Sequence, residues 1–160
     1  MARRKQKDSL EPGVTLIATN RKASFDFELG ERYEAGLVLI GSEVKSLRNR
    51  AAGITEAWAS IHNGEAFIEG MRISVLDHAA YGHLNERRSR KLLLHRKEID
   101  VLRNAIDRGG MTVVATRLYF RNGKAKIELA IARGRKKADK REAIKDRDAE
   151  RDARAELRRR

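Results

Sequence analysis

The dipeptide Asn122-Gly123 separates two runs in which apolar and polar residues alternate, and no other feature restricts the fold of this chain so tightly. Asn-Gly supplies the two positive-φ residues of a type I′ turn, whose twist matches that of the strands it joins. With these two residues at the turn, Phe120 faces Ala125, Leu118 faces Ile127, Thr116 faces Leu129 and Val114 faces Ile131, so every apolar position falls on one face. The other face receives Arg117, Tyr119, Arg121, Lys124, Lys126 and Glu128. A slip of one residue would bury those charges, which predicts a firm register. The outer face has two readings: a tyrosine among cations offered to nucleic acid, or a solvated surface with an Arg117–Glu128 cross-strand pair.

The remaining chain adds more strands than helices. Val14 to Thr19 is β-branched and apolar, and Phe25, Phe27 and Leu29 alternate with Asp26 and Glu28, which predicts two strands around Asn20-Arg21-Lys22. Leu37 to Ile40 reads as a short strand buried on both sides, followed by a helix that Ser42 caps. In that helix Val44 and Leu47 share one face, leaving Lys45 and Arg48 together on a neighbouring one. Asn63-Gly64 predicts a second hairpin within 55–76, with Trp58 and Phe67 as packing residues. The segment from His78 to Arg90 reads as a mobile polar loop ending in the basic cluster Arg87-Arg88-Ser89-Arg90-Lys91. That cluster suits a solvated surface or, beside Leu92-Leu93-Leu94, a sugar or base face. Ile99, Leu102 and Ile106 form the stripe of a helix that Gly109-Gly110 stops, long enough to plug one end of a barrel.

Charge narrows the partner. The 160 residues carry 36 Lys and Arg against 23 acids, a net charge of +13. An excess of that size strains the compact state by self-repulsion and suits an anionic partner, nucleic acid before a membrane surface. No apolar run approaches the roughly 18 residues of a membrane span, and the basic N-terminus lacks the apolar stretch of a secretory signal. An intracellular, cytoplasmic protein is expected. With no cysteine, disulfides, thiolate metal sites and cysteine nucleophiles are excluded. No phosphate-cradling glycine loop or catalytic triad spacing is present, and His78, His83 and Asp77 fit no usual zinc pattern, so neither an enzyme nor a cofactor or metal site is expected.

Composition divides the chain into a loose basic arm at 1–13, a body at 14–132 and a basic tail at 133–160. The tail holds 13 basic and 7 acidic residues, +6 of the total, and its large apolar side chains are Ile144 and Leu157. High helix propensity without an apolar face predicts disorder in isolation and helix on a partner.

Four segments in order resemble the SsrA-binding proteins, also called small protein B. They are Ile17-Ala18-Thr19-Asn20-Arg21-Lys22-Ala23, Glu34 to Arg48, Arg90-Lys91-Leu92-Leu93-Leu94-His95-Arg96 and Gly134-Arg135-Lys136-Lys137-Ala138-Asp139-Lys140-Arg141-Glu142. The resemblance implies a mainly β fold, an oligonucleotide-binding-type antiparallel β-barrel with a few helices. It also implies a partner of transfer-messenger RNA and the ribosome in trans-translation; nothing in the sequence suggests a dimer, and a monomer is expected. On that basis Asn20, Glu34 and Leu93 are RNA contacts, where residue chemistry alone leaves Asn20 open between a turn asparagine and an RNA ligand. Arg21, Lys22, Lys45, Arg48, Arg90 and Lys91 are assigned to backbone charge. The resemblance places Gly134, Arg135, Lys136, Asp139, Lys140 and Arg141 in a tail that enters the decoding region. Ala138 and Asp148 depart from the family pattern, which carries an aromatic or histidine and a large apolar residue there. The class that competes with this reading is a structural ribosomal or assembly protein, since a barrel with a basic tail is a common plan there.

Overall fold

A computed structural model describes residues 11–75, 85–135 and 137–158, with the backbone alone at 137–140 and 143. In chain order the elements are β1 (Val14–Thr19), α1 (Ala23–Asp26), β2 (Phe27–Leu37), α2 (Gly41–Arg48), β3 (Ala52–Gly53), β4 (Trp58–His62), β5 (Glu65–Glu69) and β6 (Arg72–Ile73). They continue with β7 (Arg90–Leu93), α3 (Arg96–Asp107), β8 (Met111–Arg121), β9 (Lys124–Gly134) and α4 (Lys137–Arg158). The strands β8-β4-β5-β7-β2-β9 follow one another in a ring that closes because β9 pairs back onto β8. Closure removes the free edges that an open sheet would expose. The result is the expected oligonucleotide-binding-type antiparallel barrel, with β1 added along Arg117 to Arg121 of β8.

Both Asn-Gly hairpins form. Asn63 and Gly64 have φ of 52° and 75°, Asn122 and Gly123 of 50° and 79°. In the second hairpin Phe120 faces Ala125 and Leu118 faces Ile127, as the alternation predicts. Beyond these pairs the register departs: Ala115, not Thr116, faces Leu129, and Val113, not Val114, faces Ile131. Thr116 is an extra residue in a β-bulge, and its hydroxyl donates to the Glu128 carboxylate at 2.8 Å. The bulge reverses strand parity. Val113 and Ala115 therefore point into the main core with Leu118, while Val114 turns outward to a small apolar patch with Ala23 and Ala132, flanked by Phe27 and Leu29.

That patch explains α1. Phe25 and Phe27 alternate like strand residues, yet Ala23–Asp26 is a single helical turn whose Ala23 is buried in the patch. Four residues are too few to show a helical period. Similarly, β2 ends at Leu37, where it pairs with Leu92 of β7, and Val38 and Ile40 are exposed rather than buried on both sides. The cap of α2 is also not Ser42, whose hydroxyl has no hydrogen-bond partner among the described residues. Glu43 serves instead: the Ile40 N–H donates to its carboxylate at 3.1 Å, and the Glu43 N–H donates to the Ile40 carbonyl at 3.0 Å.

The core contains Leu47 of α2, Ile68 of β5, Leu92 of β7 and Leu102 of α3, all fully or nearly fully buried. Ile99 and Ile106 pack beside Leu102 as the predicted stripe, and α3 lies against β8. Phe67 is half-buried as a packing residue, but Trp58 is 47 % exposed. The body runs past the expected boundary at 132, since Arg133 and Gly134 pair with Glu28 and Phe27. The arm expected at 1–13 is ordered at its end, where Gly13 accepts from the Asn122 N–H at 2.9 Å. The tail forms α4, with Ile144 and Leu157 exposed; Arg147 lies 4.2 Å from the centre of the Phe25 ring. No helix among the described residues is long and apolar enough to cross a membrane.

Candidate nucleic-acid interface

Strand parity decides which members of Arg90-Lys91-Leu92-Leu93 can meet a ligand. Along β7, Arg90 and Leu92 are buried and Lys91 and Leu93 face out, with Leu93 55 % exposed. Antiparallel pairing sets Leu93 opposite Gly36 of β2. A Cβ at Gly36 would lie 3.2 Å from the Leu93 Cβ, so this glycine leaves room for the leucine across the ladder. Two residues before Gly36, Glu34 opens onto the same side.

Glu34, Lys91 and Leu93 thereby line one open cleft of about 550 Å³, together with Glu65, His95 and Lys126. Apolar surface from Leu93, Leu94 and Ile99 sits between cations and carboxylates. Lys91 is held at 3.2 Å by Glu65. Such a surface can take a sugar or a base face, with a carboxylate to receive a donor and lysines to face phosphate.

Glu34 is held by β8. The Tyr119 hydroxyl and the Arg121 guanidinium both donate to its Oε2, Arg121 through Nε at 3.0 Å and Nη2 at 2.9 Å. Partial burial pushes the Glu34 carboxyl up. The hydrogen bonds from Tyr119 and Arg121, with the charges of Arg121 and Lys126, outweigh that and hold it below the usual carboxylate range. Burial and the bond to Glu34 push the Tyr119 hydroxyl up to about 12, so it remains a donor at neutral pH. Tyr119 is only 3 % exposed, with Arg117 and Arg121 each under 6 Å from its ring centre. Its ring is thus unavailable for stacking, and the expected Arg117–Glu128 cross-strand pair forms at 2.7 Å, with Glu128 buried rather than solvated.

Two expected contacts prove to be interior. Asn20 is 7 % exposed, its side-chain amide donates to the Ala115 carbonyl at 2.8 Å, and its Oδ1 accepts the Ala23 N–H at 3.1 Å. It ties β1 and α1 to the bulge in β8. Arg90 is 1 % exposed: its Nε donates to Glu43 and its Nη1 to the Met71 carbonyl at 2.8 Å. Arg88 also pairs with Glu43. Burial pushes the Glu43 carboxyl up, but the hydrogen bonds from Arg88, Ile40 and Arg90 win and keep it low. This knot joins α2 to β7 and was not legible from the sequence, because Glu43 and Arg90 lie 47 positions apart.

The other candidates are spread out. Arg21 and Lys22 are exposed before α1, and Lys45 and Arg48 are exposed on α2. Arg48 borders a second groove of about 280 Å³ with Arg50 and Phe120, which shares no residue with the Glu34 cleft. Gly134 and Arg135 belong to the barrel: the Arg135 N–H donates to the Asp26 carbonyl at 3.0 Å and its Nε to the Phe27 carbonyl at 3.2 Å. Asp139, Lys140 and Arg141 lie on α4, and Arg141 is exposed. Lys136, His78, His83 and Asp77 lie outside the described residues, among which no cluster of three or more His, Asp or Glu could hold a metal. Lys126 is among the cleft residues that the sequence did not single out as a site. Its signal was the β9 alternation, which put it on the outer face beside Tyr119.

Comparison with known proteins gives one answer. The profile of the family described as SmpB protein matches residues 17–159. An SsrA-binding protein of Sorangium cellulosum is 52 % identical over 149 residues, 93 % of this chain and 91 % of that one. Another, from Mycobacterium leprae, is 45 % identical over 148 residues, 92 % of each chain. A solved structure described as "tmRNA-SmpB: a journey to the center of the bacterial ribosome" contains a chain with a TM-score of 0.64 and 38 % identity, covering 79 % of this chain and 93 % of its own. The chain belongs to the SsrA-binding protein family.

Proposed function

We propose that the chain is an RNA-binding protein of trans-translation. Its barrel binds the tRNA-like part of transfer-messenger RNA and delivers it to stalled ribosomes, and its tail enters the decoding region. One observation carries the reading: Glu34 and Leu93, assigned to RNA from separate segments, converge on one cleft with Lys91. The cleft offers carboxylate acceptors, an apolar ledge and two lysines, which is recognition chemistry rather than a catalytic constellation. The protein acts as a cytoplasmic monomer, by binding and not by turnover. Arg90 holds β7 from inside and Asn20 ties β1 and α1 to β8, while Arg21, Lys22, Lys45 and Arg48 supply outlying charge.

Competition gel shifts with the full chain test this. Labelled transfer-messenger RNA should be displaced at much lower concentration by itself than by bulk tRNA or ribosomal RNA at moderate salt. Equal competition by ribosomal RNA would instead favour a structural ribosomal protein.

A further inference from the structure

Glu34 sits in a basic protein at a cleft meant for a polyanion, so its carboxylate must be useful for something other than phosphate. Its two oxygens are not equivalent. Tyr119 Oη, Arg121 Nε and Arg121 Nη2 all donate to Oε2, and Oε1 accepts from no group among the described residues. Arg121 is itself anchored from the far side, since its Nη1 donates to Glu11 at 2.7 Å. The contrast with Glu43 is informative: there Oε1 receives Ile40 N–H and Arg88, and Oε2 receives Arg88 and Arg90, so both oxygens are saturated. Saturating both oxygens makes a structural joint. Saturating one fixes the carboxylate and leaves a single acceptor.

Resting on the RNA-binding reading above, we propose that Tyr119 and Arg121 are positioning residues. They hold Glu34 through Oε2 so that Oε1 accepts one hydrogen bond from the RNA, from a base amino or imino group or a ribose 2′-hydroxyl. Neither residue touches RNA in this arrangement; each acts through Glu34. A held, charged acceptor makes a stronger hydrogen bond than a neutral or free one, and no ordering of the side chain opposes it on binding. It also discriminates, because a phosphate or carbonyl oxygen at that point would be repelled.

A double-mutant cycle on binding of in-vitro-transcribed transfer-messenger RNA tests the proposal, with thermal midpoints recorded for every variant. Glu34→Ala should weaken binding about 10- to 100-fold, the range for a hydrogen bond to a charged group. Tyr119→Phe, which removes one oxygen atom, should weaken it roughly threefold to tenfold in the native background. In the Glu34→Ala background the same change should alter binding by less than about twofold, because nothing remains to position. Arg121→Ala should follow the same pattern and Arg121→Lys should restore part of the loss. Additive losses would mean that Tyr119 and Arg121 act on their own or through the fold, which overturns the positioning role. No effect of Glu34→Ala, with Lys91→Ala also silent, would place the RNA elsewhere and overturn the cleft reading itself. Replacing the RNA groups that can donate, one per transcript, should identify one substitution whose loss is not additive with Glu34→Ala. If every such substitution is additive with it, Oε1 takes no donor from RNA.

Discussion

The barrel and the tail both contain paired charges, yet the pairs do different work. In the barrel, Glu43 is 7 % exposed at its side chain, and Arg90 is completely covered. Losing one partner there would leave a buried charge uncompensated. In α4 the pair Arg151–Asp148, at 3.2 Å, is more than half exposed on both sides, a setting where such pairs contribute about 1 kcal/mol at most. The barrel also closes on itself and buries the side chains that its alternation marks as apolar. The tail leaves Ile144 and Leu157 in solvent, and a cation over the Phe25 ring joins it to α1. One region has its fold fixed from within, and the other is a helix whose large apolar side chains stay exposed.

Four variants sharpen or break that contrast, beginning with the largest effect. Replacing Asp139, Lys140 and Arg141 with alanine should abolish peptide tagging on stalled ribosomes while changing affinity for transfer-messenger RNA by less than about twofold, read by gel shift. A large loss of RNA affinity would erase the distinction. Within the barrel, Glu43→Gln should cost about 3–5 kcal/mol of unfolding free energy in urea, since Arg90 would keep its charge without a counterion. The corresponding Asp148→Asn change in the tail should cost no more than about 0.5 kcal/mol.

The pH dependence has a definite sign. The Glu43 carboxyl titrates below its ordinary value of 4.5 in the folded chain. Its contribution is therefore complete above the unfolded value and lost as pH falls through the folded one. Thermal midpoints should hold steady down to about pH 5 and fall below 4.5, less steeply in Glu43→Gln. An equal fall in both would assign acid sensitivity to other carboxylates, Glu128 first, whose burial is likewise outweighed by Arg117, Thr116 and Arg32. The smallest effect concerns α2. Lys45→Ala with Arg48→Ala should reduce the slope of log affinity against log salt by roughly 1.4 to 1.8. An unchanged slope would show that this helix edge faces away from the RNA.

Local chemistry was legible in the sequence and long-range partnership was not. Asn63-Gly64 and Asn122-Gly123 announce their turns because the backbone geometry is a property of those two residues. Thr116 carries no mark of a bulge: a β-branched residue in a strand is ordinary, and its distinction is a hydrogen bond to a carboxylate on the next strand. In the sequence Arg90 reads as surface charge because arginines usually are, and the glutamate that permits its burial comes from α2. The burial of Asn20 has the same kind of cause, its amide satisfied by carbonyls of β8 and of the chain before β4. The cleft fared better. Glu34, Lys91 and Leu93 stood in segments singled out by resemblance, and simple strand parity brings Lys91 and Leu93 to one side.

The central claim is that the barrel alone recognises the RNA and the tail is needed only on the ribosome. The direct measurement is the dissociation constant for transfer-messenger RNA of a chain ending at Arg135, beside that of the full chain, each with bulk tRNA as competitor. The account predicts constants within about threefold and the same preference over bulk tRNA. A truncated chain that folds but no longer separates the two RNAs would contradict it.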